Sequence, residues 1–146
     1  MDKKNSKYYL TIETSFDAAH RLSNYEGKCK RIHGHTYKIF VKISSEELLH
    51  WGAVIDFGDL KKVIKDSIHE KYDHKLLFML NDPINNKIAN TIDNSWIVWM
   101  DKNTTAENIA FDIYQKLKTL LNTVKLEEVT IFETPTNSAI YSEYVN

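Results

Sequence analysis

His20, in the segment FDAAHRL, and His33 and His35, in CKRIHGH, are the residues whose type and spacing point most directly to chemistry. Side chains two apart on an extended chain leave on the same side, so His33 and His35 can offer both imidazoles to one ion, and Gly34 between them leaves the opposite face bare. His20 stands just past the end of an alternating apolar segment. Hairpin pairing of that segment with the next would set it beside HGH. Three neutral nitrogen donors with an open fourth position are the arrangement of a catalytic rather than a structural zinc. An isolated HxH is equally a turn with two surface histidines, so the company it keeps decides its weight.

That company includes Cys29, four residues before His33, and Asp73-His74 at the end of a helical segment. A thiol near a dication and the basic side chains of Lys28, Lys30 and Arg31 would lose its proton more readily and could act as base or nucleophile. The other readings of Cys29 are a fourth metal ligand or an inert loop residue, and spacing does not separate the three. Asp73 could orient and charge His74 as a proton-transfer group, although acidic and basic residues at a helix end need no function. Thr104, Thr105 and Glu107 open a helix, and Thr104 with Glu107 has the spacing of a capping box. Glu133 falls on the face shared by Val129 and Ile131, where a carboxylate is costly to bury unless it meets a donor array such as adjacent ring N–H groups. His50 and His69 are expected to be ordinary surface histidines.

The elements that must position these residues follow from periodicity. Tyr8–Phe16 and His35–Ile43 alternate as strands, antiparallel if Ser23–Arg31 is a hairpin connection. Asp59–Tyr72 places Leu60, Val63, Ile64 and Ile68 on one helical stripe, and the segment opened by Thr104 does the same with Ile109, Ile113, Leu117 and Leu120. Asn81–Asn94 reads as a loop, Ser95–Met100 as a short strand, and Leu126–Glu133 and Ala139–Val145 as closing strands. The order is two strands, helix, short strand, helix, two strands, an α+β arrangement with helices on one face of an antiparallel sheet.

A chain of 146 residues, 42% hydrophobic, supports one domain, here taken as 1–146. The net charge of -1 gives no electrostatic footprint for nucleic acid. No apolar run approaches the roughly 18 residues of a membrane helix, and MDKKNSKYY has no signal-length apolar stretch behind it, so a cytoplasmic setting without membrane partners is expected. The one cysteine fits a reducing compartment.

FDAAHRL, CKRIHGH, VIDFGDLK, YDHKLL, NTTAENIA and IFET, in this order, resemble the motifs of the 6-pyruvoyl tetrahydropterin synthase and 6-carboxytetrahydropterin synthase family. The resemblance implies zinc on His20, His33 and His35, Cys29 as catalytic base, Asp73 and His74 as a proton relay, Glu133 as anchor of a pterin, and Thr105 and Glu107 lining its pocket. Lys28 and Arg31 are candidate contacts for a substrate triphosphate. The implied fold is the tunnelling fold, a four-stranded antiparallel sheet with two helices on one face, closing into a β-barrel in a homohexamer with active sites at subunit interfaces. CKRIH, without an acidic residue between Cys29 and His33, and VIDFGDLK are more similar to the bacterial 6-carboxytetrahydropterin synthases of queuosine (deazaguanine) biosynthesis. These are lyases that take 7,8-dihydroneopterin triphosphate and release acetaldehyde and triphosphate. One departure is Thr104, where the family has proline ahead of Thr-x-Glu, a change expected to loosen that loop.

Overall fold

Alternation and helical periodicity resolve, in the computed structural model of residues 6–144, into β1 (Tyr8–His20), β2 (His33–Ser45), α1 (Phe57–Tyr72), β3 (Lys75–Met79), α2 (Pro83–Ala89), β4 (Ile97–Met100), α3 (Ala106–Leu120), β5 (Lys125–Thr134) and β6 (Asn137–Ser142). β1 and β2 pair antiparallel in unbroken register from Tyr8 opposite Ser45 to His20 opposite His33. Ile12 and Phe16 on β1, and Tyr37, Ile39, Val41 and Ile43 on β2, are buried on one face. Each such side chain contributes about 1.5–3 kcal/mol through its removal from water. α1 and α3 lie on that face, with Leu60, Ile64, Ile68, Ile109, Ile113 and Leu117 completing the core.

The sheet has six strands in the order β4-β3-β1-β2-β5-β6, not four, and it is mixed. β3 pairs parallel to both β1 and β4. The additional strand escapes periodicity because KLLFM is buried on both faces: Leu77 joins the main core, while Phe78 joins a second cluster with Ala89 and Ile97. A strand buried twice shows no alternation. That second cluster also corrects the Asn81–Asn94 loop, which contains α2, and the placing of all helices on one face. Asp82 caps α2 by accepting from the Ile84 and Asn85 amides, with Pro83 following it. The closing strand ends at Ser142; Val145 lies outside the described residues.

α3 begins one residue later than the capping-box spacing implies. Its cap is Thr105, whose side chain accepts from the Asn108 amide at 3.3 Å. Thr104 is instead fully buried, its hydroxyl donating to the Arg21 carbonyl at 2.9 Å, so the residue in place of proline pins the loop rather than loosening it. Among the described residues, no helix is long and apolar enough to cross a membrane. His50 is exposed as expected, but His69 is half-buried and its Nε2 has no hydrogen-bond partner.

Candidate active site

β1 is longer than its alternation indicates, so His20 is its last residue and stands directly opposite His33, the first of β2. His35 follows on the same face of β2. A side chain at Gly34 would place its Cβ 3.3 Å from the Ala18 carbonyl oxygen, which is why the residue between the two histidines has none. One ring nitrogen from each of His20, His33 and His35 lies within 4.8 Å of the others, in a group that does not include Cys29.

The hydrogen bonds behind the rings decide what this cluster can hold. His20 Nδ1 lies 2.7 Å from the Thr104 carbonyl oxygen, and His33 Nδ1 lies 2.7 Å from that of Arg31. A carbonyl cannot donate, so both Nδ1 atoms carry a proton, which leaves each Nε2 free to present a lone pair. These two Nε2 atoms are 3.1 Å apart. Burial keeps the His20 ring neutral, pushing its pKa down to about 4; the Thr104 carbonyl opposes this and the His33 and His35 rings add to it. Burial lowers His35 as well, with Glu133 opposing, and its Nε2 is buried without a partner. Two lone pairs facing each other at this distance repel unless a cation lies between them. The donor set therefore fits a metal ion of the type held by three imidazoles.

Glu133 reaches the same place from β5. Its Oε1 is 3.5 Å from His20 Nε2 and 3.9 Å from His35 Nε2. With neutral rings these contacts are not ion pairs but one more acceptor beside the others. The side chain is 28% exposed, so the carboxylate is reachable from solvent. Tyr37, buried against the His20 and His35 rings, forms an aromatic floor.

Cys29 sits half-buried in the short turn Lys28–Lys30, and its carbonyl accepts from the Leu22 amide at 2.8 Å, two residues past His20. Lys28 and Arg31 are exposed, and Arg31 lines a cavity of about 630 Å³ with Arg21, Tyr25, Lys30 and Asp82. Thr105 caps α3 one residue past Thr104, and Glu107 stands exposed in its first turn, three residues past Thr104.

The Asp73–His74 pair is formed, outside the group of three ring nitrogens. Asp73 Oδ2 is 2.9 Å from His74 Nδ1, and its Oδ1 accepts from the Asp17 amide at 3.0 Å. That backbone bond, then burial acting against it, then the His74 contact hold the Asp73 carboxyl below its ordinary range. His74 takes a left-handed φ of 58° and bonds its amide to the Asp17 carbonyl, which turns α1 into β3. It lines a groove of about 500 Å³ with Asp17, Ala19, Gly34, Thr36 and one of the clustered imidazoles, His35. By alternation, Asp17 and Ala19 leave β1 on the side opposite to His20.

Sequence reasoning missed Thr104 and the carbonyl of Arg31 as the groups that orient two of the rings. It also passed over Arg21 and Asp82, although Asp-Pro is itself a helix-start signal.

The chain matches the family described as 6-pyruvoyl tetrahydropterin synthase over residues 9–144. It is 37% identical over 142 residues to the 6-carboxy-5,6,7,8-tetrahydropterin synthase of Haemophilus influenzae, covering 93% of this chain and 99% of that one. With the protein of the same name from Rickettsia felis it shares 34% over 129 residues, 86% of this chain and 93% of the relative. Among solved structures, an uncharacterized protein of Wolinella succinogenes has the same fold at a TM-score of 0.81 and 22% identity, covering 95% of this chain and 99% of that one. The 6-pyruvoyl tetrahydropterin synthase of Caenorhabditis elegans superposes at 0.71 with 28% identity, covering 95% and 97%.

Proposed function

Since the chain belongs to the 6-pyruvoyl tetrahydropterin synthase family, we propose that it is a zinc-dependent 6-carboxytetrahydropterin synthase, a cytoplasmic lyase of queuosine biosynthesis. It would convert 7,8-dihydroneopterin triphosphate and water to 6-carboxytetrahydropterin, acetaldehyde and triphosphate. The observation that carries this reading is the set of three imidazole nitrogens within 4.8 Å, with the Nδ1 protons of His20 and His33 committed to backbone carbonyls and Glu133 alongside. The curated relatives of the carboxy-forming name, matched along nearly their full length, favour that branch over the pyruvoyl-forming one.

His20, His33 and His35 would hold the zinc, which when bound supplies Lewis acidity toward the oxygens of the substrate side chain. Glu133 accepts from adjacent N–H groups of the pterin ring and so aims the C6 side chain at the imidazoles. Thr105 and Glu107 line the ring's pocket from the start of α3, and Lys28 and Arg31 meet the triphosphate. Cys29 removes a proton from the side chain, and His74, oriented by Asp73, returns one on the other side. Asp73–His74 lies outside the group of three imidazoles, in a groove lined by Asp17 and Ala19, and would serve a neighbouring copy's site. This agrees with a homohexamer whose active sites lie between subunits.

The test is incubation of zinc-loaded protein with 7,8-dihydroneopterin triphosphate and assay of acetaldehyde, with Cys29→Ala in parallel. Acetaldehyde from the native protein alone supports the proposal. Consumption of substrate without acetaldehyde assigns the pyruvoyl-forming reaction, and absence of consumption leaves a pterin-binding protein.

A further inference from the structure

Next to His20 the chain buries a charge that the proposed chemistry does not use. Arg21 is 5% exposed and its side chain donates in two directions. Nη1 lies 2.8 Å from Asn85 Oδ1 and 3.1 Å from Asp82 Oδ2, both on or capping α2, while Nε donates to the Lys30 carbonyl at 3.0 Å. Asp82 is 6% exposed and Asn85 fully buried, and Asn85 Nδ2 reaches the Ser23 hydroxyl and the Met79 carbonyl. Lys30 is the last residue of the turn that carries Cys29. The Leu22 amide on the Cys29 carbonyl also fastens that turn to the end of β1.

A guanidinium suits this role because its donors form a rigid fork, one arm fixed by α2 and the other reaching the turn. The Asp82 carboxylate balances its charge, without which a buried Arg would be costly. We propose that Arg21, held by Asp82 and Asn85 of α2, is a positioning residue that fixes the Cys29 turn against the end of β1. α2 is then the anchor of the turn that bears the proposed catalytic base. This assignment rests on the proposed role of Cys29 but concerns the placement of its thiol, which is measurable without turnover.

The experiment compares native protein with Arg21→Lys and Arg21→Met. Lysine keeps the charge opposite Asp82 but has no branch-point donor for the Lys30 carbonyl, so its fold is preserved while the arm to the turn is lost. In metal-free protein, alkylation of Cys29 by iodoacetamide is followed by mass, which is unambiguous because the chain has one cysteine. The expected result is a several-fold faster alkylation in Arg21→Lys at a thermal midpoint near the native one, with Arg21→Met faster still. In the acetaldehyde assay, kcat of Arg21→Lys falls about 10- to 100-fold, as misplacing a reacting group by about 1 Å does, while KM changes less. Alkylation at the native rate in both variants overturns the proposal. If native protein gives no turnover yet alkylation accelerates in the variants, the positioning stands and the reaction assignment is what fails.

Discussion

At the scale of single residues, the cluster is defined less by its three imidazoles than by the carbonyls behind them. The Thr104 and Arg31 oxygens commit the Nδ1 protons, and burial keeps the His20 ring neutral, so the lone pairs have no alternative use. Replacing His35 with alanine removes one of three donors and is expected to lower bound zinc per chain well below that of the native protein, as read by elemental analysis after dialysis. Thr104→Val keeps the carbonyl but leaves the Arg21 carbonyl without its donor. We expect it to cost about 1–2 kcal/mol in urea unfolding, with zinc still bound. If the variant matched the native protein, the Thr104 hydroxyl would not be what secures that loop.

At the scale of elements, the hairpin and the two long helices were legible because each buries one face and so leaves a period in the sequence. β3 and α2 were not. Lys75–Met79 is covered on both sides, and Pro83–Ala89 is a helix too short and polar to show a stripe, stabilised instead by its Asp82 cap and the Arg21 contact. Likewise the three histidines and Glu133 could be named from spacing, whereas Thr104, Arg21 and Asp82 act through pairings distant in sequence that no local pattern encodes. Burial alone would raise the Asp82 pKa, but the Asn85 amide, the Ser23 hydroxyl and Arg21 together hold it down, to about 2. Its ionised form is thus favoured by folding: the stabilisation is fully present above the ordinary 3.8 and is lost as pH falls toward 2. Asp82→Asn retains a cap but not the charge. It is expected to lose about 3 kcal/mol at neutral pH and to show a flatter stability profile across the acid range, measured by urea midpoints.

At the scale of the whole molecule, β1 meets β3 only from Ala18 to His20, so the earlier part of β1 has an open edge, and β6 has another. Tyr9 on β1, at 57% exposure, and Ile140 on β6, at 61%, lie along those open edges. Unpaired edges with apolar side chains recruit further strands. Light scattering on purified protein is expected to give about six times the 17.1 kDa of the chain, and a single-chain mass would remove the hexamer and with it the shared active site. One property of the hairpin bears on folding. All three imidazoles belong to β1 and β2, whereas Thr104 and Glu133 arrive from the other half of the chain. The ion can therefore be captured by a nascent hairpin before the sheet is complete, a local event with little loop to close. A ligand that also binds the unfinished chain stabilises the native state by less than its native affinity implies. Zinc is thus expected to speed refolding more than it raises the unfolding midpoint, a difference that stopped-flow refolding with and without the ion would expose.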